Sequence, residues 1–341
     1  MARLATTLEI RTSPHVLSGY SVDTIMFNVV LALLPTTAFA IYAFGLMALV
    51  TLSAAVATCL LTEQVCCRLS GRATTLGDWS VAITGLLYGL TLPPGLPLWM
   101  TVVGGVLAVG LGKALFGGLG WNPFNPALVG RAFLQAAFPA AMTSWVPAFQ
   151  PGRFTTLPAS TATLPFSEPV VDAVSTATPL ALWKFDRELT EWGELALGFI
   201  GGSTGETSSA LILLGGAYLV ARNMMNWRIP VAVLGTVGLL SAGLHAIDPA
   251  RFASAGFMLF AGGLALGAVF MASDMVGSPM TGRGCLVYGA LIGSLVVVIR
   301  TWGGMPEGVM YAILLGNALT PHIDRLMRQR TYGKVRARAS S

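Results

Sequence analysis

The sequence predicts an all-α integral membrane protein with about ten transmembrane helices. Of the 341 residues, 54% are hydrophobic and only 10% are charged, and the mean hydropathy is +0.72. Soluble domains carry about a quarter charged residues, so this chain lacks the polar surface that a soluble fold needs. Apolar runs near the length that spans a bilayer, about 20 residues, recur along the chain. These observations disfavour the alternative, a soluble protein with a large buried core.

Ten apolar segments fit the hydropathy of the chain. They cover residues 22–43, 45–67, 79–92, 96–116, 125–140, 207–223, 228–246, 253–272, 284–301 and 306–324. The third and fifth are too short to cross the ~30 Å hydrocarbon layer as straight helices. Pro93-Pro94 ends the third, and the run from Asn122 to Pro126 opens the fifth. Broken helices are tolerated in a membrane only where protein or a cavity covers the freed backbone.

Basic residues give the segments an orientation. They concentrate at one set of loops and in the tail: Arg68, Arg72, Lys113, Arg222, Arg228, Arg283, Arg325, Arg328, Arg330, Lys334, Arg336 and Arg338. Cytoplasmic loops are the ones enriched in Lys and Arg, so both termini are predicted to be cytoplasmic. The net charge of +5 therefore indicates orientation in a membrane rather than nucleic-acid binding.

The orientation divides the chain into five parts. They are a cytoplasmic N-terminal arm (1–20), a first membrane repeat (21–140), a long outer loop (141–206), a second membrane repeat (207–325) and a basic cytoplasmic tail (326–341). The long outer loop is acidic and ends at Glu206.

The division into two repeats rests on an internal similarity. Residues 91–118 resemble residues 278–304, with Lys113 matched to Arg300, and residues 125–133 weakly match 317–325. With five spans in each half, the second half is inverted relative to the first. Inverted repeats place functional sites near the midplane, where broken helices meet. The alternative is a chance match between glycine-rich apolar helices.

Polar residues within or near the spans are candidates for an ion pathway, because such residues are costly in lipid. We select Asp274, Asn125 and Asn317, and we expect the two asparagines to cap the helices of the two matched segments. Lys113, Arg131 and Arg300, like Asp274, lie at or near segment ends. Anchoring of these charges at the membrane interface is their simpler interpretation.

Motifs for metals and nicotinamide nucleotides are absent from the sequence. The four cysteines and three histidines are Cys59, Cys66, Cys67, Cys285, His15, His245 and His322. None of them forms a C-x-x-C or Cys/His cluster, so we expect no zinc or iron–sulfur site built by this chain alone. No G-x-G-x-x-G connects a strand to a helix, so a nicotinamide nucleotide would be bound by a partner.

The stretch DAVSTATPL, residues 172–180, interrupts the long loop with small and hydroxyl-bearing side chains. Serine and threonine in loops usually serve as turn and capping residues. Here Pro179 biases Thr178 toward an extended backbone, which presents its hydroxyl at the surface. Asp172 supplies a carboxylate for local hydrogen bonding or for recognition by a modifying enzyme. The candidate site residues of this stretch are Asp172, Ser175, Thr176, Ala177, Thr178 and Pro179.

This stretch resembles the flavinylation motif D-x-x-[ST]-x-A-T of the Rnf D and NqrB family of membrane subunits. In that family a flavin transferase joins FMN through its phosphate to the final threonine, which is Thr178 here. Thr176 stands where glycine or serine is commoner and leaves the acceptor unchanged. Residues 13–35, 124–134 and 273–325 also resemble the family, and the short N-terminal arm favours the Rnf D branch.

The resemblance implies a fold of two inverted five-helix repeats related to urea channels. It also implies a multi-pass protein of the bacterial inner membrane, with residues 141–206 in the periplasm. The implied function is that of a subunit, not catalytic alone, of an Rnf-type complex. This subunit carries covalent FMN and relays electrons between ferredoxin and NAD in either direction, coupled to translocation of Na⁺ or H⁺.

The resemblance implies partners as well. They are the other Rnf subunits (A, B, C, E and G), the flavin transferase and membrane lipid, and a noncovalent riboflavin for which no local motif gives a site. Two other functions stay open: a channel-like transporter of a small solute or ion without a redox function, and a structural anchor for redox partners.

Overall fold

The computed structural model describes residues 21–155, 157, 159–165, 177–198, 201–206 and 208–328. All regular secondary structure within these ranges is helical, which confirms the all-α prediction. Asp172, Ser175 and Thr176 lie outside the described residues, as do the arm 1–20 and residues 329–341 of the tail.

Fourteen α-helices follow one another along the described residues. They are α1 (Val22–Phe44), α2 (Leu46–Leu69), α3 (Ser80–Leu90), α4 (Leu98–Val109), α5 (Pro126–Ala137), α6 (Pro139–Met142), α7 (Pro179–Ala181), α8 (Trp192–Leu197), α9 (Ser209–Ala221), α10 (Arg228–Ile247), α11 (Ala255–Phe260), α12 (Leu264–Leu266), α13 (Gly282–Trp302) and α14 (Val309–Leu326). Helices α4, α7 and α12 continue into π-helical turns at Gly110–Ala114, Leu182–Asp186 and Gly267–Met271.

The lengths of these helices identify a membrane protein. Four of the described helices, α1, α2, α10 and α13, are long and apolar enough to cross a bilayer. The third and fifth predicted segments form the short helices α3 and α5, of 11 and 12 residues. Within the eighth predicted segment the helix is interrupted at residues 261–263, between α11 and α12, a break that the apolar pattern of the sequence does not predict.

The two halves of the chain pack in the same order. Helix α2 contacts α3 and α4 in the first half, and α10 contacts α11 and α13 in the second. Helix α4 packs on α5 just as α13 packs on α14, and α1 of the first half contacts α9 of the second. This pairing brings the short and interrupted helices of both halves into the interior.

The end of α3 shows how a broken helix is stabilised there. The carbonyls of Leu90 and Leu92 have no further helical turn to bond, and they accept hydrogen bonds from the backbone N–H groups of Gly205 (2.6 Å) and Thr204 (3.0 Å). Buried backbone groups must be satisfied within the protein when no water is available. The segment that ends at Glu206 is thereby fixed against the first half of the chain.

Close approach of α10 and α13 depends on glycine. A Cβ atom on Gly289 would lie 2.6 Å from the Cβ of Ala232 and 2.9 Å from the carbonyl oxygen of Ile229. Small residues allow membrane helices to approach closely enough for backbone-to-backbone packing.

Gly289→Ala should therefore destabilise the protein by about 1–3 kcal/mol, the range for overpacking of a buried contact. Gly235→Ala is the matched control, because Gly235 lies on α10 with no atom within 4 Å of the added methyl group. We expect a lower melting temperature in detergent for Gly289→Ala only, followed with a thiol-reactive dye on the buried cysteines. Equal melting temperatures for the two variants would contradict the close packing.

Candidate functional site

Thr178 is the N-cap of the short helix α7. Its backbone is extended, with φ −68° and ψ 153°, and its Oγ1 accepts a hydrogen bond from the backbone N–H of Ala181 at 3.2 Å. The extended backbone confirms the effect expected from Pro179, which occupies the first helical position. The expected surface exposure was wrong, because Thr178 is only 8% exposed. Pro179 is buried too, whereas Ala177 is exposed.

Thr178 lines a cavity of about 90 Å³. Arg131 of α5 and Glu206 line the same cavity, as does Glu307 from the turn that precedes α14. Thr178 and Glu307 thus line the same cavity, although they are 129 positions apart in the sequence. We call Thr178, Arg131, Glu206 and Glu307, together with Arg300, the outer cluster.

Ion pairing and a broken helix fix the geometry of the outer cluster. The Nη2 atom of Arg131 lies 3.0 Å from Oε2 of Glu307, and both side chains are largely buried. The other oxygen of Glu307, Oε1, accepts the backbone N–H of Gly263 at 2.6 Å. Glu307 therefore joins α5 to the interruption between α11 and α12.

Arg300 also bonds the chain at this interruption. Its Nη1 donates to the carbonyl of Met258 (2.7 Å) and its Nη2 to that of Ala261 (2.9 Å). Arg300 is 1% exposed, Lys113 is 2% exposed and Arg131 is 9% exposed. Anchoring of these three cations at the membrane interface was therefore the wrong interpretation, since each of them is buried among protein groups.

The two carboxyls of the outer cluster differ in their protonation. Burial raises the pKa of Glu206 from its ordinary value of 4.5 to about 7, with a further contribution from the neighbouring Glu307 and an opposing one from Arg131. Glu307, in contrast, accepts hydrogen bonds from the Arg131 guanidinium (3.0 Å) and the Gly263 N–H (2.6 Å), both of which favour its ionised form. Two neighbouring carboxyls whose surroundings favour different protonation states are typical of sites that handle protons.

A second buried ion pair lies elsewhere in the first half. Nζ of Lys113 lies 2.9 Å from Oε1 of Glu63, with side-chain exposures of 2% and 5%. Lys113 also donates to Oγ of Ser80 (2.8 Å), and Thr75 donates to Glu63 (2.5 Å). Ser80 in turn donates to Asp78 at 2.6 Å, so one hydrogen-bonded network leads from the 3₁₀ turn at Leu76–Asp78 to the buried cation.

The ion-pathway candidates lie around a second cavity, of about 100 Å³. Asn125, Asp274 and Lys113 all line it. Asp274 accepts the backbone N–H of Val276 (3.2 Å), and burial raises the pKa of its carboxyl. Two of the three candidates, Asn125 and Asp274, are thus brought to one cavity.

The two asparagines have different structural positions. Asn125 caps α5 as expected, with its side chain accepting the N–H of Ala127 at 3.0 Å. Asn317 lies inside α14, so the expectation that it caps a helix was wrong. The two residues are nevertheless in contact. When the side-chain amide of Asn317 is oriented so that both its oxygen and its nitrogen have hydrogen-bond partners, the oxygen accepts the backbone N–H of Asn125 at 3.1 Å.

Comparison with known proteins assigns the family. The chain matches the NQR2, RnfD, RnfE family over residues 9–333. The chain belongs to this family. It is 43% identical over 331 residues to the D subunit of the ion-translocating oxidoreductase complex of Stutzerimonas stutzeri, covering 92% of this chain and 93% of the relative. The recognition of the Rnf D and NqrB family from sequence is thereby confirmed.

Two further relatives have more specific names. The chain is 39% identical to the D subunit of the proton-translocating ferredoxin:NAD(+) oxidoreductase complex of Clostridium ljungdahlii, covering 96% of each chain. It is also 39% identical to the D subunit of the Na(+)-translocating ferredoxin:NAD(+) oxidoreductase complex of Acetobacterium woodii, covering 96% of this chain and 95% of the relative.

Sequence reasoning missed several polar residues that this member of the NQR2, RnfD, RnfE family buries. Glu63 and Glu307 were not candidates, and Glu206 entered only as an acidic loop residue. A signal was available, because an ionisable residue inside a membrane span requires a partner of opposite charge. Applied to Lys113, Arg131 and Arg300, this rule would have led to a search for buried carboxylates.

Lys113→Met should destabilise the family member by about 3–5 kcal/mol, since it leaves the buried Glu63 carboxylate without its partner. The double variant Lys113→Met/Glu63→Gln removes both charges and should recover most of the loss. Arg283→Met, at an exposed cation, is the control and should leave the melting temperature in detergent unchanged. A double variant no more stable than Lys113→Met would contradict the ion pair.

Thermal stability should fall as the pH rises through about 7, the folded-state pKa of Glu206. In the unfolded chain the pKa of this carboxyl is near 4.5. Between pH 4.5 and the folded-state pKa, the folded state therefore binds more protons than the unfolded state, and its stability falls as these protons dissociate. Glu206→Gln should flatten melting temperature against pH from about 5 to 8, whereas Glu194→Gln, at an exposed carboxyl, should retain the slope.

Proposed function

We propose that the chain is the D-type membrane subunit of an Rnf-type ion-translocating oxidoreductase complex. It carries FMN esterified through its phosphate to Thr178 and relays electrons between ferredoxin and NAD, in either direction, coupled to translocation of Na⁺ or H⁺. The observation that carries the proposal is the position of Thr178 in the wall of a cavity beside Arg131. The names of the relatives support the reaction, and the motif DAVSTAT supports the attachment.

The residues around Thr178 fit a phosphate ester. Arg131 lines the same cavity, and its Nε has no acceptor in the part of the chain that the structure describes. A phosphodiester carries one negative charge, which a guanidinium group is suited to bind. The ester would retain the oxygen of Thr178, which can still accept the N–H of Ala181.

The flavin supplies the redox chemistry when bound, and the protein supplies its position and electrostatic surroundings. Attachment to Thr178 keeps the flavin at a high local concentration on a side of the membrane where a free cofactor would be lost by diffusion. The maturation partner is a flavin transferase, and the electron-transfer partners are the other Rnf subunits (A, B, C, E and G).

The proposed topology comprises ten membrane segments in two inverted five-helix repeats, related to urea channels. The equal order of packing in the two halves supports it, as does the match of Lys113 with Arg300, because each is a buried cation. Both termini lie in the cytoplasm, and the segment 141–206 lies in the periplasm of a bacterial inner membrane. The outer cluster then faces the periplasmic side, and the basic helix ends face the cytoplasm.

The second cavity is our candidate for part of the ion pathway. Apolar side chains such as Met26, Ile83 and Phe270 line it together with Asn125 and Asp274. Asn317, which contacts Asn125, completes the proposed pathway.

The energies of the coupled steps are comparable. Moving one charge against ~100 mV requires about 2.3 kcal/mol. One electron that falls through ~100 mV releases a similar energy, so one electron-transfer step is sufficient to drive roughly one ion.

Thr178→Ala should abolish covalent flavin. When the chain is produced together with its flavin transferase, intact mass spectrometry of the wild type should show one added FMN less one water, and the denatured band should fluoresce. Thr143→Ala is the matched control, because Thr143 lines the same cavity and is not the proposed acceptor. Thr178→Ser keeps a hydroxyl at the position and should retain attachment.

Flavin retained in Thr178→Ala would overturn the assignment of the attachment site. A wild-type chain of unmodified mass, colourless and conducting a small solute in vesicles, would favour the channel-like transporter instead. Electron transfer by the complex that persists in Thr178→Ala would favour the structural anchor.

A further inference from the structure

Two carboxyl side chains meet beside Thr178. Glu206 is 8% exposed, and it approaches the same backbone position as Glu307. A Cβ atom on Gly263 would lie 2.8 Å from Oε1 of Glu307 and 3.3 Å from Oε1 of Glu206. Two carboxyls that share one buried site raise each other's affinity for a proton, because like charges repel strongly at low dielectric.

The charged groups that face this pair come from two helices. Arg131 of α5 binds Glu307 directly, and a Cβ atom on Gly262 would lie 3.2 Å from Nη2 of Arg300 of α13 and 3.1 Å from Oε1 of Glu307. Lys184, which follows α7, is turned toward other groups, because its ammonium donates to the carbonyls of Gly303 and Met305. Two cations therefore act on two carboxyls, and among the described residues one of these cations, Arg131, forms an ion pair with them.

The hydrogen bonds of the cluster are divided unequally between the two carboxyls. Glu307 accepts two donors, from Arg131 and Gly263. Oε2 of Glu206 receives a long bond of 3.4 Å from the backbone N–H of Ser203, and its Oε1 has no donor among the described residues. Nη1 and Nη2 of Arg300 donate to the carbonyls of Met258 and Ala261, and neither nitrogen is shown to bond Glu206. A buried acceptor without a donor is costly, and a proton on Glu206 turns that oxygen into a donor.

We propose that Glu206 and Glu307 form a proton-binding site that holds one proton between them at neutral pH and exchanges it with the cavity beside Thr178. The exchange is a simple dissociation, in which a carboxylic acid and a carboxylate become two carboxylates and one proton. Both residues line the cavity, so the released proton has a route out of the pair. The raised pKa of Glu206, about 7, agrees with this assignment.

The charge balance links this site to Thr178. This link rests on the proposed function for the identity of the group on Thr178. A phosphodiester there brings one negative charge to a cluster that holds Arg131, Arg300 and one ionised carboxylate. With the second carboxyl protonated, the cluster is then neutral, which low-dielectric surroundings favour. The modified protein should therefore hold the proton to higher pH than the unmodified protein.

Infrared spectroscopy tests the proton directly. The full chain, reconstituted in lipid and produced with or without the flavin transferase, is titrated from about pH 5 to about pH 9, the range around the raised pKa. We expect the C=O stretching band of a protonated carboxyl to disappear with rising pH in the unmodified wild type. Glu206→Gln should lack this band, while Glu194→Gln, at an exposed carboxyl, should keep it.

The modified chain should show the same band with its midpoint shifted to higher pH by roughly one unit, as expected for one added charge nearby. No titrating band in this range in either form of the wild type, or an unchanged band in Glu206→Gln, would overturn the proton site. Glu206→Asp, which keeps the carboxyl on a shorter side chain, should restore a titrating band. If modification is absent but the band titrates, the proposed function fails and the proton site stands.

Discussion

The interruption between α11 and α12 is the constraint on which the rest of the site depends. Backbone groups freed at a break within a membrane protein must find partners in the protein, because the hydrocarbon offers none. Here charged side chains supply them: Arg300 donates to the carbonyls of Met258 and Ala261, and Glu307 accepts the N–H of Gly263. Bonding the break thus brings one cation and one anion into the interior.

Two further charged residues, Arg131 and Glu206, lie beside Arg300 and Glu307. Glu307 is matched by Arg131, which fixes the middle of α5 against the turn before α14. The first half bonds its own break differently, since the carbonyls of Leu90 and Leu92 accept backbone N–H groups from the segment that ends in Glu206. These backbone hydrogen bonds place Glu206 in the outer cluster. The two breaks together therefore create the charged wall of the cavity beside Thr178.

Local features of the sequence predicted much of the fold. The first predicted span, 22–43, agrees with α1 (Val22–Phe44), and 228–246 agrees with α10 (Arg228–Ile247), because apolar length and flanking polar residues are local signals. The short lengths of α3 and α5 followed from neighbouring prolines. The break at residues 261–263 carries no proline, and its stability comes from residues about 40 positions away, so local pattern could not predict it.

The candidate site, like the fold, was predicted where local sequence determines the structure and missed where packing determines it. Pro179 imposes the extended backbone of Thr178, a local effect, whereas the burial of Thr178 depends on packing against α5 and the turn before α14. The cations were seen but placed at the interface, because their positions near segment ends fit both interpretations. Only the three-dimensional pairing with Glu63 and Glu307 distinguishes a buried charge from an anchor.

The short helix α5 connects the two cavities. Its N-cap Asn125 lines the second cavity, and Arg131 lines the cavity of Thr178. Six residues of α-helix rise about 9 Å, so the two cavities are separated by fewer than two helical turns along this axis. One short helix therefore contributes a polar side chain to each cavity, so a shift of α5 along its axis would change both cavities together.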